Sequence, residues 1–186
     1  MRNVILLSLM LILTSDAFSQ GQSKSEIKNK INLFNGKNLD GWYTFLQNRG
    51  RDIDPKNVFT VQDGMIRISG EEWGGITSEE EFENYRLIVE FKWGGKTFPP
   101  RLENARDSGI LLHSIGEDGA SDGIWMHSIE CQLIEGGTGD FIVVGDGSEN
   151  FSITSPVAPE KQGNSYVYQA EGELATINSG RINLCT

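Results

Sequence analysis

Apolar and polar residues alternate most regularly between Asp107 and Phe141, and most clearly from Ser128 to Glu135. There Ile129, Cys131 and Leu133 interleave with Ser128, Glu130 and Gln132. A period of two predicts a strand with one face on a core and one face held open. Glu130 and Gln132 then point the same way, roughly 7 Å apart at two strand rises. Ser108–His113 predicts another strand, ending in one of the two histidines of the chain; the other, His127, opens the Glu130 strand. Gly136, Gly137 and Gly139 predict a flexible turn, because glycine takes backbone angles that other residues avoid. Titratable and hydrogen-bonding groups on sheet strands are how β-sandwiches build carbohydrate clefts, so the site is expected here.

The rest of the chain carries the same short period. Two glycines and three Asn/Asp residues between Leu33-Phe34 and Trp42 predict a tight turn that delivers Trp42 to the core. Trp42–Leu46 reads as a short strand and Gln47–Asn57 as a charged loop. Val58–Val61 and Met65–Ser69 flank Gln62-Asp63-Gly64, a hairpin signal. Ile76–Ser78 resumes an extended path, and the acidic run Glu79–Glu83 reads as a solvated face or a short helical turn. Tyr85–Trp93 is the clearest predicted strand, with Leu87, Val89 and Phe91 on one face. Gly94–Arg106 is loop-like, with Pro99-Pro100 excluding regular structure. Further strands are predicted at Phe141–Val144, at Phe151–Thr154 with a stop at Pro156, and from Tyr166 to Ala170. No helical stripe, long repeat or heptad is present. Many short strands with abundant glycine predict an all-β sandwich or barrel.

Ahead of this domain, Arg2, the apolar run Val4–Leu13 and Ala17-Phe18-Ser19 have the layout of a secretory signal peptide, residues 1–19. The run is too short to span a bilayer. A polar tail follows over residues 20–30, and the domain is expected over 31–186. The product is expected to be exported, periplasmic or extracellular. Cleavage removes one Arg and one Asp, so the net charge stays at −10. An acidic surface repels phosphate backbones and anionic headgroups, which argues against nucleic acid or membrane as partner and leaves neutral ligands such as sugars open. Of the two cysteines, Cys131 lies on the apolar face of its strand, where a buried free thiol is expected in preference to the disulfide with Cys185 that export would permit.

These residues resemble a known family. Leu33-Phe34-Asn35-Gly36-Lys37-Asn38-Leu39-Asp40-Gly41-Trp42 is close to its opening motif. The Asp63-Gly64 hairpin, the stretch Tyr85–Phe91, Asp107-Ser108-Gly109-Ile110-Leu111 and Ile129-Glu130-Cys131-Gln132 follow in its order and spacing. The family is the 3-keto-disaccharide hydrolase domain, also described as 3-keto-glucoside lyase and 2-hydroxy-glucal hydratase. The resemblance implies a concanavalin A-like jelly roll and an exported enzyme of sugar degradation. The family pattern continues beyond Cys185-Thr186 with further strands, so the chain is expected to be incomplete at its C-terminus.

The implied chemistry acts on a sugar oxidised at C3. The keto group acidifies the C2 hydrogen, so cleavage proceeds by proton abstraction at C2, loss of the group on C1 and addition of water. That route needs a base, a donor facing the developing enolate and an acid for the leaving oxygen. Glu130 is the expected base, Gln132 a neutral donor beside it, and His113 the acid or enolate donor. Glu135, Arg101, Trp125 and His127 are expected walls of the cleft, the substrate an oxidised glycoside, and no cofactor is required. Two alternatives use the same residues. Glu130-x-Gln132-x-x-Glu135 matches the Glu-x-Asp-x-x-Glu spacing of laminarinase-like β-glucanases, in which a bulge brings the last Glu onto the cleft face; Gln in place of the middle Asp counts against this. A lectin-like sugar-binding module without catalysis is the other. His113, His127 and Glu130 as metal ligands is a weaker idea, because their spacing matches no zinc motif.

Overall fold

In the computed structural model, residues 30–184 are described; the expected signal peptide, most of the expected tail and Cys185 lie outside them. The Asn-rich opening turn forms as expected. The Asn35 side-chain oxygen accepts from the Lys37 and Asn38 backbone N–H groups at 2.7 and 3.0 Å, and the Trp42 indole donates to the Leu33 carbonyl at 3.0 Å. The turn therefore anchors Trp42 at the head of β1 (Trp42–Leu46), which pairs antiparallel with β2 (Gly50–Arg51) and β5 (Gly74–Ser78). The two-residue β2 lies inside the stretch expected to be loop. β3 (Phe59–Gln62) and β4 (Met65–Ile68) form the expected hairpin, its turn made by Asp63 and Gly64 with φ of 52° and 73°. Positive φ at both central residues matches the twist of the strands, which is why Asp-Gly serves there. Leu46, Val58 and Phe59, with Leu39 and Ile76 packed against them, form the core of this half.

The second half is built on β6 (Asp107–Ile115), β7 (His127–Ile134), β8 (Phe141–Val144), β9 (Ile153–Val157), β10 (Tyr166–Val167), β11 (Glu173–Ile177) and β12 (Gly180–Asn183). Five strands join in the order β10-β12-β8-β7-β6, antiparallel except for β10 and β12, and β9 pairs with β11 in a separate hairpin. Val143 and Ile182 from the large sheet meet Phe151, Val157 and Ile177, with Ile129 and Phe141 packed against them. Period two puts Ile129 and Phe141 on one face, so the hairpin covers the face opposite Glu130. The architecture is all-β: several antiparallel sheets with apolar faces turned inward, as in a β-sandwich, and no helix among the described residues.

Three expectations about elements are corrected. Tyr85–Trp93, read as the clearest strand, forms no ladder, and Ile88 is 70 % exposed with Leu87, Val89 and Phe91 exposed around it. Alternation specifies an extended backbone; a strand also needs a partner edge, and the outer edge of β6 is not paired with it. The segment only brushes that edge: Tyr85 stacks on His113 at 5.7 Å, and Arg106 lies over Trp93 at 5.8 Å and donates to the Gly94 carbonyl. Pro156 does not stop its strand: it sits opposite Leu174 of β11. On the other side, where only the isolated bridge Val157–Tyr168 forms, its carbonyl accepts from the Gln169 N–H at 3.3 Å, a bond that needs no N–H from proline. The strand expected from Tyr166 to Ala170 is only Tyr166–Val167, held parallel to β12. The acidic run Glu79–Glu83 takes the solvated form of the two expected, its four glutamates exposed.

Candidate active site

β7 is the second strand from the β6 edge, hydrogen-bonded to β6 on one side and β8 on the other. The register sets Glu130 opposite Leu111 on β6 and opposite Ile142 on β8, and Ile142 in turn opposite Arg181 on β12. Leu111, Glu130, Ile142 and Arg181 thus form one row across four strands on the face opposite the β9–β11 hairpin. One step along β6, Gly109 pairs with Gln132, and one more reaches Asp107. This face is not open in the simple sense expected from alternation. Ser128 is fully buried and Gln132 is 5 % exposed, as the central position of β7 allows cover on both faces.

Glu130 is half-buried, and its side chain lies across Gly109. A Cβ built on Gly109 would fall 1.8 Å from Glu130 Oε1, so only glycine leaves the carboxyl its place. Burial pushes the Glu130 carboxyl up to about 7; the negative charge of Asp107 adds to this and the positive charge of Arg181 opposes it. Each of those neighbours is itself half of an ion pair, Arg101 with Asp107 at 2.9 Å and Arg181 with Asp140 at 3.0 Å. Asp140 also accepts from the Leu184 backbone N–H at 3.1 Å, and its carbonyl accepts from Gln132 N–H at 2.9 Å. The buried Gln132 Oε1 and Ser128 Oγ have no partner among the described residues. Buried polar atoms are rarely left so, and both flank Glu130 on its own strand. An open depression lined by Gly136, Gly137, Thr138 and Asp140 lies at the β7–β8 turn beside this row.

Of the residues expected at the site, Glu130 and Gln132 share the face, and Arg101 reaches it through Asp107. The others do not converge there. His127 occupies the same face as Ile129, tilted against Phe151 at 5.9 Å, and its buried Nε2 has no partner among the described residues. The residue is half-buried against Phe151 on the face opposite Glu130, not at the cleft wall where it was expected. His113 is exposed at the irregularity between Leu112 and Ile115, with φ of 52° and its ring on Tyr85. Trp125 packs edge-on against Trp73 at 6.0 Å.

Glu135 lies just past β7, bound through both carboxylate oxygens to Arg106, whose hydrogen bonds hold its carboxyl below the usual range. β7 stays in register with β6 from Ile134 to Ile129, so no bulge turns Glu135 onto the Glu130 face. That removes the geometric basis of the β-glucanase alternative. No cluster of three or more metal-ligating side chains occurs among the described residues, and His127 and Glu130 point to opposite faces. Sequence reasoning missed Gly109, Asp107, Asp140 and Arg181 as site residues. Period two along the Asp107-Ser108-Gly109-Ile110-Leu111 run signals the first two, whereas nothing local ties Asp140 or Arg181 to Glu130.

An all-β chain with a desolvated carboxyl on a sheet face, set between two Arg–Asp pairs, has the layout of a general acid–base site. The chain belongs to the 3-keto-alpha-glucoside-1,2-lyase-like domain family, whose model matches residues 29–175. No curated protein and no solved structure matches it.

Proposed function

We propose that the protein cleaves glycosides oxidised at C3, with Glu130 as the base that removes the C2 proton. The observation that carries this is the Glu130 carboxyl itself: half-buried over Gly109, next to Asp107, and raised to about 7. A base is most effective when its pKa lies near the working pH, since both protonation states are then populated. Ionised Glu130 takes the C2 proton, and the C2–H electron pair forms the C2–C3 double bond of an enolate. The enolate collapses, the C1–O bond breaks, and the leaving oxygen takes one proton and departs as the alcohol. Protonated Glu130 can return that proton, which leaves the carboxylate ready for the next cycle. Water then adds across the C1–C2 double bond, giving net hydrolysis. The family supports the carbohydrate substrate and the lyase-like class; the residue roles are our reading of the geometry.

The test is turnover of a 3-keto-α-glucoside by Glu130→Gln, which keeps the size of the side chain and removes its ability to accept the proton. The rate is expected to fall by about 10²–10⁴-fold, the usual contribution of a general base. In the wild type, kcat/KM should rise with pH on a limb centred near 7. Undiminished turnover by a folded Glu130→Gln protein would remove Glu130 from the mechanism. Retention of an unmodified glucan with no turnover of the keto-sugar would favour the sugar-binding alternative.

A further inference from the structure

We propose that Arg181 is a catalytic residue of this site, its guanidinium facing the 3-keto oxygen and stabilising the enolate that forms as Glu130 takes the C2 proton. The inference rests on the Glu130 reading above and adds the electrophile, a role for which sequence reasoning had put forward His113.

Abstraction of a proton next to a carbonyl moves negative charge onto the carbonyl oxygen, and a fixed cation or donor aimed at that oxygen is the largest single aid to such a step. Arg181 occupies the same cross-strand row as Glu130 with only Ile142 between them, so their backbones are two strand spacings, about 10 Å, apart. Arg181 reaches Asp140 beside β8, while the Glu130 carboxyl leans over Gly109 on β6, and the positive charge of Arg181 still bears on it. A sugar lying above Ile142 would set its C2 hydrogen toward Glu130 and its 3-keto oxygen toward Arg181. Asp140 engages one nitrogen, Nη1, of the guanidinium. Of the five N–H donors of an arginine, others stay free for a ligand. The side chain is 33 % exposed, so the cation is anchored and still reachable.

The charges around Glu130 point the same way. On the β6 side, Asp107 of the Arg101–Asp107 pair bears on Glu130 with its negative charge. From the far side, Arg181 of the Arg181–Asp140 pair bears on it with a positive one. The field across the carboxyl is therefore polarised, with its positive end, suited to an enolate oxygen, toward β12. His113 is less suited, exposed at the β6 irregularity against Tyr85.

The experiment measures kcat and KM on a 3-keto-α-glucoside for Arg181→Met, Arg181→Lys and Glu130→Gln in the full chain, each with a thermal melt. Arg181→Met is expected to lower kcat by about 10²–10³-fold, the cost of losing one oxyanion donor. It should also move the acid limb of the pH profile upward, because Glu130 is left among Asp107 and Asp140 without the opposing cation. Added guanidinium ion should restore part of the turnover of Arg181→Met, which a residue needed only for folding would not show. If Arg181→Met loses its cooperative melt, Arg181→Lys decides. A compact ammonium lacks the planar fork, so kcat should fall at least about tenfold with the limb little moved. Wild-type kcat in either folded Arg181 variant, alongside an inactive Glu130→Gln, overturns the role of Arg181 alone. Full activity in Glu130→Gln overturns the base reading on which it stands.

Discussion

Glu130→Gln should make the folded protein more stable at alkaline pH while destroying its activity. A carboxyl that titrates near 7 in the folded chain and near 4.5 when free binds its proton more tightly in the fold. Its contribution is fully favourable below the unfolded value and is lost as pH rises through 7. The gap between 4.5 and about 7 corresponds to at most about 3.4 kcal/mol, at 1.36 kcal/mol per pH unit. Glu130 keeps solvent contact on one side, and screening reduces the figure to about 1–2 kcal/mol. The glutamine isostere carries no charge and escapes this penalty. Urea titrations of both proteins at about pH 4.5 and 8.5 would measure it, the variant gaining about 1–2 kcal/mol on the wild type between the two conditions. For a domain of this size that is about 2–8 °C in Tm. An equal gap at both pH values would mean that Glu130 is not desolvated over Gly109 and would refute the electrostatic argument for its role as base.

Gly109→Ala places a methyl group 1.8 Å from Glu130 Oε1 and should displace the carboxyl. Turnover should fall at least about tenfold, with about 1–3 kcal/mol of lost stability; wild-type kcat/KM would contradict the close approach. Asp107→Asn removes the negative charge that helps to raise Glu130, so the acid limb of kcat/KM should move to lower pH, and a limb unchanged or shifted upward would show that Asp107 does not act on the base. Glu135→Gln weakens only the contact with Arg106 and should leave 3-keto-glucoside turnover unchanged; a large loss of kcat would return Glu135 to the cleft.

Much of the fold was legible in the chain because its signals are local. Asp63-Gly64 forces its hairpin through two positive φ angles, and the Asn-rich turn before Trp42 closes on its own side-chain hydrogen bonds. Alternation along Ser128–Leu133 determined which residues of β7 share a face, including the pairing of Glu130 with Gln132; His127, expected as a wall of the cleft, lies on the other face. It could not decide how deeply that face is covered, because burial of Ser128 and Gln132 depends on what packs above a central strand. The same limit explains Tyr85–Trp93, where an extended pattern exists without a ladder because pairing belongs to two segments and not to one. The electrostatics of Glu130 lay furthest from the sequence. Asp140 and Arg181 stand 10 and 51 positions away, and only the β7–β8–β12 register brings Arg181 into the Glu130 row. A residue's type and its face follow from local sterics and period; its pKa and its partners follow from long-range strand order, which tertiary packing alone decides.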